Sequence, residues 1–98
     1  MRRAAKVDDN HGHIVSAFRA GGALVQDLSG CGEGVPDLLL GISGQFVLVE
    51  VKDGHKPPSA RKLTTEQQAW HNKFHGYPVH IVTSELDAFE VMRLYRRV

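Results

Sequence analysis

The 98 residues predict an α/β fold, a mixed central sheet flanked by helices, and three observations carry that expectation. The apolar run Phe46-Val47-Leu48-Val49 reads as a strand inside a sheet, covered on both faces. Ser43-Gly44, between that run and Leu38-Leu39-Leu40, reads as a hairpin turn, which makes the two strands antiparallel. The passage onward to Val79-His80-Ile81-Val82 holds a helix and is long enough for a parallel crossover.

The elements follow in order. Met1 to Val7 is a basic start, expected to be a flexible arm. Asp8, Asp9 or Asn10 can cap a first helix, in which Ile14, Val15, Ala17 and Phe18 recur at helical spacing. Gly21-Gly22 ends that helix. Ala23 to Leu28 reads as a short strand, and Ser29 to Gly34 as a glycine-rich loop. Val35 to Ile42 is a second strand, interrupted near its start by Pro36, and Gln45 to Val51 a third. A polar loop from Asp53 to Lys62 contains Pro57-Pro58. Thr64 or Thr65 caps a helix running to about His75, where Gly76 stops it. Val79 to Val82 is the fourth strand. Ser84 caps a last helix, with Asp87 completing a weak capping box. Leu86, Phe89, Val91 and Met92, with Leu94 and Tyr95, form its expected buried stripe, or part of a dimer seam.

Composition narrows the function classes. A chain of this length forms one domain, residues 1–98, with one modest core. Its apolar stretches fall far short of the ~18 residues of a membrane span, and the charged start does not read as a signal peptide. One cysteine, Cys31, excludes an internal disulfide and a four-cysteine zinc site, so a cytoplasmic setting is expected. Twelve basic against eleven acidic residues give a formal charge of +1, so any nucleic-acid surface must come from charge placement.

The third strand carries the chemical signal. Glu50 and Lys52 follow its apolar run and share a face by the period of two. Buried charges of this kind suggest a site, against the plainer reading of a surface salt bridge. Asp37 favours the site. It lies six residues before Ser43, and Glu50 lies six after Gly44, so a hairpin makes the two carboxylates neighbours. Adjacent carboxylates repel unless a cation lies between them, and Mg²⁺ takes oxygen ligands of this type. A lysine on the same face suits activation of a water or stabilisation of negative charge. The layout is that of a metal-dependent phosphodiesterase site.

Pro36-Asp37 and Glu50-Val51-Lys52, twelve residues apart, resemble the PD-(D/E)XK nuclease signature, and the element order matches its αβββαβ core with an added C-terminal helix. GEGVPDLLLG (Gly32 to Gly41), VEVKDGHKPPSARKLT (Val49 to Thr64) and EQQAWH (Glu66 to His71) sharpen the match. Together these stretches resemble the small phage-type VRR-NUC nucleases, a branch of that superfamily. The resemblance implies that Asp37, Glu50 and the backbone carbonyl of Val51 hold Mg²⁺ or Mn²⁺. It implies that Lys52 helps activate water and that a helix glutamine belongs to the site; Gln67, three residues before Trp70, fits that position best, with its neighbour Gln68 the alternative. It further implies a homodimer acting on DNA, branched forms such as four-way junctions included, a phage or prophage origin, and no organic cofactor. Related sequences carry a glutamate before an Ile-Val pair in the first helix; here His13 stands there, a candidate nitrogen ligand that favours Mn²⁺. Asp9, one turn earlier, is the alternative. This departure leaves a second function open: a nuclease-fold DNA-binding module without activity.

The remaining signals rank lower. Lys56, Arg61 and Lys62 surround the stiff Pro57-Pro58 pair and suit phosphate contact. Arg2, Arg3 and Lys6 read as a solvated arm, and Arg93, Arg96 and Arg97 as charge at a helix C-terminus. Glu33 is a remote metal candidate, and Cys31 a small loop residue. His71 and His75 have zinc-chelating spacing but no second pair of ligands. Trp70 reads as a core or groove anchor.

Overall fold

The computed structural model describes residues 8–96. The expected arm at 1–7, with Arg2, Arg3 and Lys6, and also Arg97, lie outside the described residues. The element order is α1 (His11–Ala20), β1 (Leu24–Asp27), β2 (Leu38–Ile42), β3 (Gln45–Val51), α2 (Thr65–Lys73), β4 (Val79–Val82) and α3 (Glu85–Tyr95). A short 3-10 turn, Pro58–Arg61, lies in the loop before α2. The sheet order is β1-β2-β3-β4, antiparallel except for the parallel β3–β4 pair. The mixed sheet, the hairpin and the crossover are as the sequence predicts.

The hairpin turns at Ser43 (φ 51°) and Gly44 (φ 79°), two successive left-handed residues that match the twist of paired strands. This sets Leu38 opposite Val49 and Leu40 opposite Val47. These four residues, with Val51 and Val82, join one core with Ile14, Ala17 and Phe18 of α1 and Ala88, Val91 and Met92 of α3. Phe18 is fully buried there, and truncating such a side chain costs ~3–5 kcal/mol.

Three expectations change. The buried stripe of α3 is Ala88, Val91 and Met92; Leu86 and Leu94 are exposed and Phe89 half-exposed. Ala88 lets the helix lie close, and Met92 abuts the backbone of Gly21, where a Cβ would come within 2.3 Å of its sulfur. The strand β3 is central, yet only one of its faces is sealed. Phe46 is 74% exposed, because α2 covers the opposite face only near the C-terminal end of β3. Asp87 does not close a capping box: Ser84 caps its N–H at 3.1 Å, but its own carboxylate accepts from the N–H and hydroxyl of Thr83. Similarly, Asn10 occupies the cap position of α1 without capping it. Its amide instead donates to the carbonyls of Lys52 and Thr83, both at 3.1 Å, tying α1 to the ends of β3 and β4.

Candidate active site

The site begins where β2 stops short. The ladder pairs β2 with β3 from Ile42–Gln45 back to Leu38–Val49. On its β2 side Val51, at the end of β3, has no strand partner, since Pro36 and Asp37 precede β2; on its other side it pairs with Val82. The carboxylate of Asp37 fills the gap and accepts the Val51 N–H at 2.8 Å. Its own carbonyl accepts from Leu28 N–H at 2.7 Å, which anchors the backbone. In a strand the N–H and C=O of one residue point to the same side, so the Val51 carbonyl faces the same gap.

Glu50 projects from the opposite face to the apolar core and is 1% exposed. Its carboxyl group lies close enough to that of Asp37 for the two to act on each other. Burial, then the neighbouring Asp37 carboxyl, pushes Glu50 up to about 9, against the opposing pull of Lys52. Lys52 is also buried, and its Nζ donates to Gln67 Oε1 at 2.7 Å.

Gln67 is delivered by the first turn of α2. Thr64 and Gln67 form a reciprocal capping box: the Thr64 hydroxyl accepts from Gln67 N–H at 3.2 Å, and Gln67 Oε1 accepts from Thr64 N–H at 2.9 Å. The same side chain donates from Nε2 to Glu50 Oε2 at 3.2 Å. A single amide therefore joins helix cap, lysine and carboxylate. The glycine-rich loop packs against this turn. A Cβ on Gly34 (φ +78°) would lie 2.3 Å from the Glu66 carbonyl, so only glycine fits. A cavity of about 150 Å³ between loop and helix is lined by Asp37, Gln67, Glu33, Gly34 and Thr64.

Two residues that the sequence reading left out of the site also approach it. Asp8 is close enough to raise the Glu50 pKa further, and pairs with Lys56 at 3.4 Å. His71, one turn after Gln67, places Nε2 at 3.9 Å from Glu50 Oε1. Burial, then the charge of Lys52, lowers the His71 pKa. The i, i+4 spacing of Gln67 and His71 was the available signal for the latter. The salt bridge of Asp8 crosses 48 residues of chain, so local pattern held no signal for it.

The donor set fits a hard divalent cation. Two neighbouring carboxyl groups, one of them buried, are eased by a proton or a cation, and Glu50 Oε1 is buried without a hydrogen-bond partner. Two carboxylates and a backbone carbonyl, with positions left for water and phosphate, suit Mg²⁺ or Mn²⁺. Among the described residues, no group of three or more His, Cys, Asp or Glu side chains is arranged to hold an ion.

A solved structure described as a VRR_NUC domain is similar to this chain, with a TM-score of 0.64 and 30% identity. The match covers 90% of this chain and 99% of that one. The chain belongs to the VRR-NUC family. No family model matches the sequence, and no curated protein does.

Within this VRR-NUC domain, Asp37, Glu50, Lys52 and Gln67 converge. Of the two glutamines, Gln67 faces the cluster, whereas Gln68 is exposed and bonds to Asn72 at 2.9 Å. His13 lies apart from the cluster's hydrogen bonds. It is exposed and lines a separate cavity of about 510 Å³ with Asp9, Asp53, His55 and Leu86. Lys56 is engaged by Asp8, Arg61 is half-buried and Lys62 is exposed. Glu33 and Cys31 are exposed on the glycine-rich loop, and Trp70 is half-buried, stacked on Phe74 at 4.1 Å. No helix among the described residues is long and apolar enough to cross a membrane.

Proposed function

We propose that this VRR-NUC domain is a Mg²⁺- or Mn²⁺-dependent endonuclease that hydrolyses phosphodiester bonds in DNA. The observation that carries this reading is the buried Glu50 carboxyl beside Asp37, linked through Gln67 to the buried Lys52. Asp37, Glu50 and the Val51 carbonyl would hold the cation. When bound, such an ion neutralises phosphate charge and makes water more acidic. The residues of the chain then have distinct tasks. Gln67 takes one of the three N–H donors of Lys52, which leaves two for the phosphate or the attacking water. The ammonium group, held in a site with little water, stabilises negative charge as it grows on the phosphate. The attacking water forms a new P–O bond and loses a proton to solvent or a phosphate oxygen; the leaving sugar oxygen gains one.

Lys56, Arg61 and Lys62 would contact the phosphates that flank the scissile bond. His13 remains a proposed metal ligand, although it lines the larger cavity and Asp37 the smaller one. The family resemblance supports a homodimer acting on branched DNA such as four-way junctions, with no organic cofactor. Exposed Leu24, Phe46 and Leu86 supply apolar surface for a second copy.

The test is cleavage of labelled four-way junction, flap, single-stranded and linear duplex DNA, each with Mg²⁺, Mn²⁺ or chelator. Metal-dependent cutting is expected, with a loss of at least ~100-fold in Lys52→Ala. Metal-independent binding without cutting would replace this reading with an inactive DNA-binding module. Sedimentation of the same protein, with and without junction DNA, tests the dimer.

A further inference from the structure

Two buried polar atoms in this molecule face each other without a bond. Glu50 Oε1 and His71 Nε2 both lack a hydrogen-bond partner, and they stand 3.9 Å apart. The other carboxylate oxygen, Oε2, already accepts from Gln67. Gln67 and His71 lie at i and i+4 of α2, so one helix face presents two side chains to the two oxygens of a single carboxyl group. An unmade bond between buried groups is costly, which disfavours the gap as a working arrangement. Closing it by about 1 Å gives a charge-assisted bond of ordinary length.

We infer that His71 is a positioning residue, whose Nε2–H donates to Glu50 Oε1 and fixes the carboxylate in its metal-binding orientation. The inference rests on the metal reading proposed above. The backbone explains how the closure is made. The first turn of α2 is pinned by the Thr64–Gln67 box and by Gly34, while no residue of α2 is fully buried. The second turn therefore has room to settle by the distance required. The donor role also assigns the tautomer, with the proton on Nε2 and the ring neutral. Groups that orient a metal ligand through hydrogen bonds commonly govern affinity by ~10–100-fold. His71 thereby has a task distinct from zinc chelation with His75, which lies on the exposed turn beyond the helix.

Two measurements on the full chain test this. Calorimetric titration with Mn²⁺, without DNA, compares wild type, His71→Leu and His71→Gln. The leucine variant is expected to bind ~10–100-fold more weakly. The glutamine variant, which keeps an N–H near the same place, is expected to recover most of that loss. Equal affinity for wild type and leucine variant would overturn the role of His71 while leaving the metal site in place. A wild type that binds no divalent cation would overturn the metal reading and this inference with it. Side-chain nitrogen NMR of the wild-type protein with Mg²⁺ needs no variant to fold. A proton on His71 Nε2 is expected; a bare Nε2, as in direct metal ligation, would overturn the assignment.

Discussion

Glu50 has almost no contact with water, so its behaviour is set by its neighbours. Asp37 and burial favour its neutral form, Lys52 its charged form, and Gln67 holds one oxygen in place. Gln67 is the most connected of these, with bonds to Thr64, Lys52 and Glu50. Gln67→Leu keeps the approximate volume and removes all three. It should cost ~1–3 kcal/mol, because a buried ammonium and a buried carboxyl lose partners together. Urea unfolding of the metal-free protein measures this, and a loss below ~0.5 kcal/mol, the level of an ordinary surface change, would contradict it. The Asp37–Glu50–Lys52 signature was readable from the sequence because hairpin symmetry and strand alternation are local rules. The preference for Gln67 over Gln68 rested on the family resemblance and the spacing to Trp70, since by local pattern the two differ only in which side of α2 meets the sheet.

At the scale of elements, α2 and α3 contrast. The helix α2 buries none of its residues, yet it carries Gln67 and His71 to Glu50. The helix α3 carries none of the side chains that converge on Glu50 and supplies three core residues. Its sequence has two apolar faces at helical spacing, and the larger residues on one of them, Leu86 and Phe89, suggested the wrong side. Packing selected the face with Ala88, since the helix lies against α1 and β4. Leu86→Ser should therefore change stability by no more than ~0.5 kcal/mol, while Met92→Ala should cost ~2–5 kcal/mol. Thermal melts of the two variants decide this, and a larger loss for Leu86→Ser than for Met92→Ala would return Leu86 to the buried face. The fully apolar run of β3 misled in a related way. It marked a central strand correctly but implied two sealed faces, whereas α2 is too short to cover Phe46.

For the whole molecule, pH and metal are the accessible controls. Burial lowers the pKa of His80, which bonds to the hydroxyl of Tyr95 and joins β4 to α3. A histidine whose folded pKa is depressed supports the fold fully above its unfolded value, near 6.5. That support is lost as pH falls from there through the lower folded value. Protonation of Glu50, held up to about 9, works in the opposite direction over the same range, so the wild type is compared with His80→Gln: the melting-temperature advantage of the wild type should shrink on acidification below about 6.5, and parallel curves would exclude this role of His80. Metal acts in the opposite direction. At 100 times its Kd, a ligand specific to the folded state adds ~2.7 kcal/mol, and Asp37→Ala should abolish that gain in thermal shift with Mn²⁺. An equal shift in the variant would place the bound ion elsewhere.

What the sequence determined by itself is the order of elements, the hairpin register and the meeting of Asp37 with Glu50. Each depends on turn geometry, side-chain alternation or apolar period, all set within a few residues of chain. Tertiary structure alone decided which face of α3 is buried and that Asp8 and His71 come near Glu50. It also set His13 on a different cavity from Asp37. These outcomes depend on how helices dock on the sheet, which small differences in packing, such as Ala88 against Phe89 or Gly34 against the α2 backbone, select between nearly equal patterns.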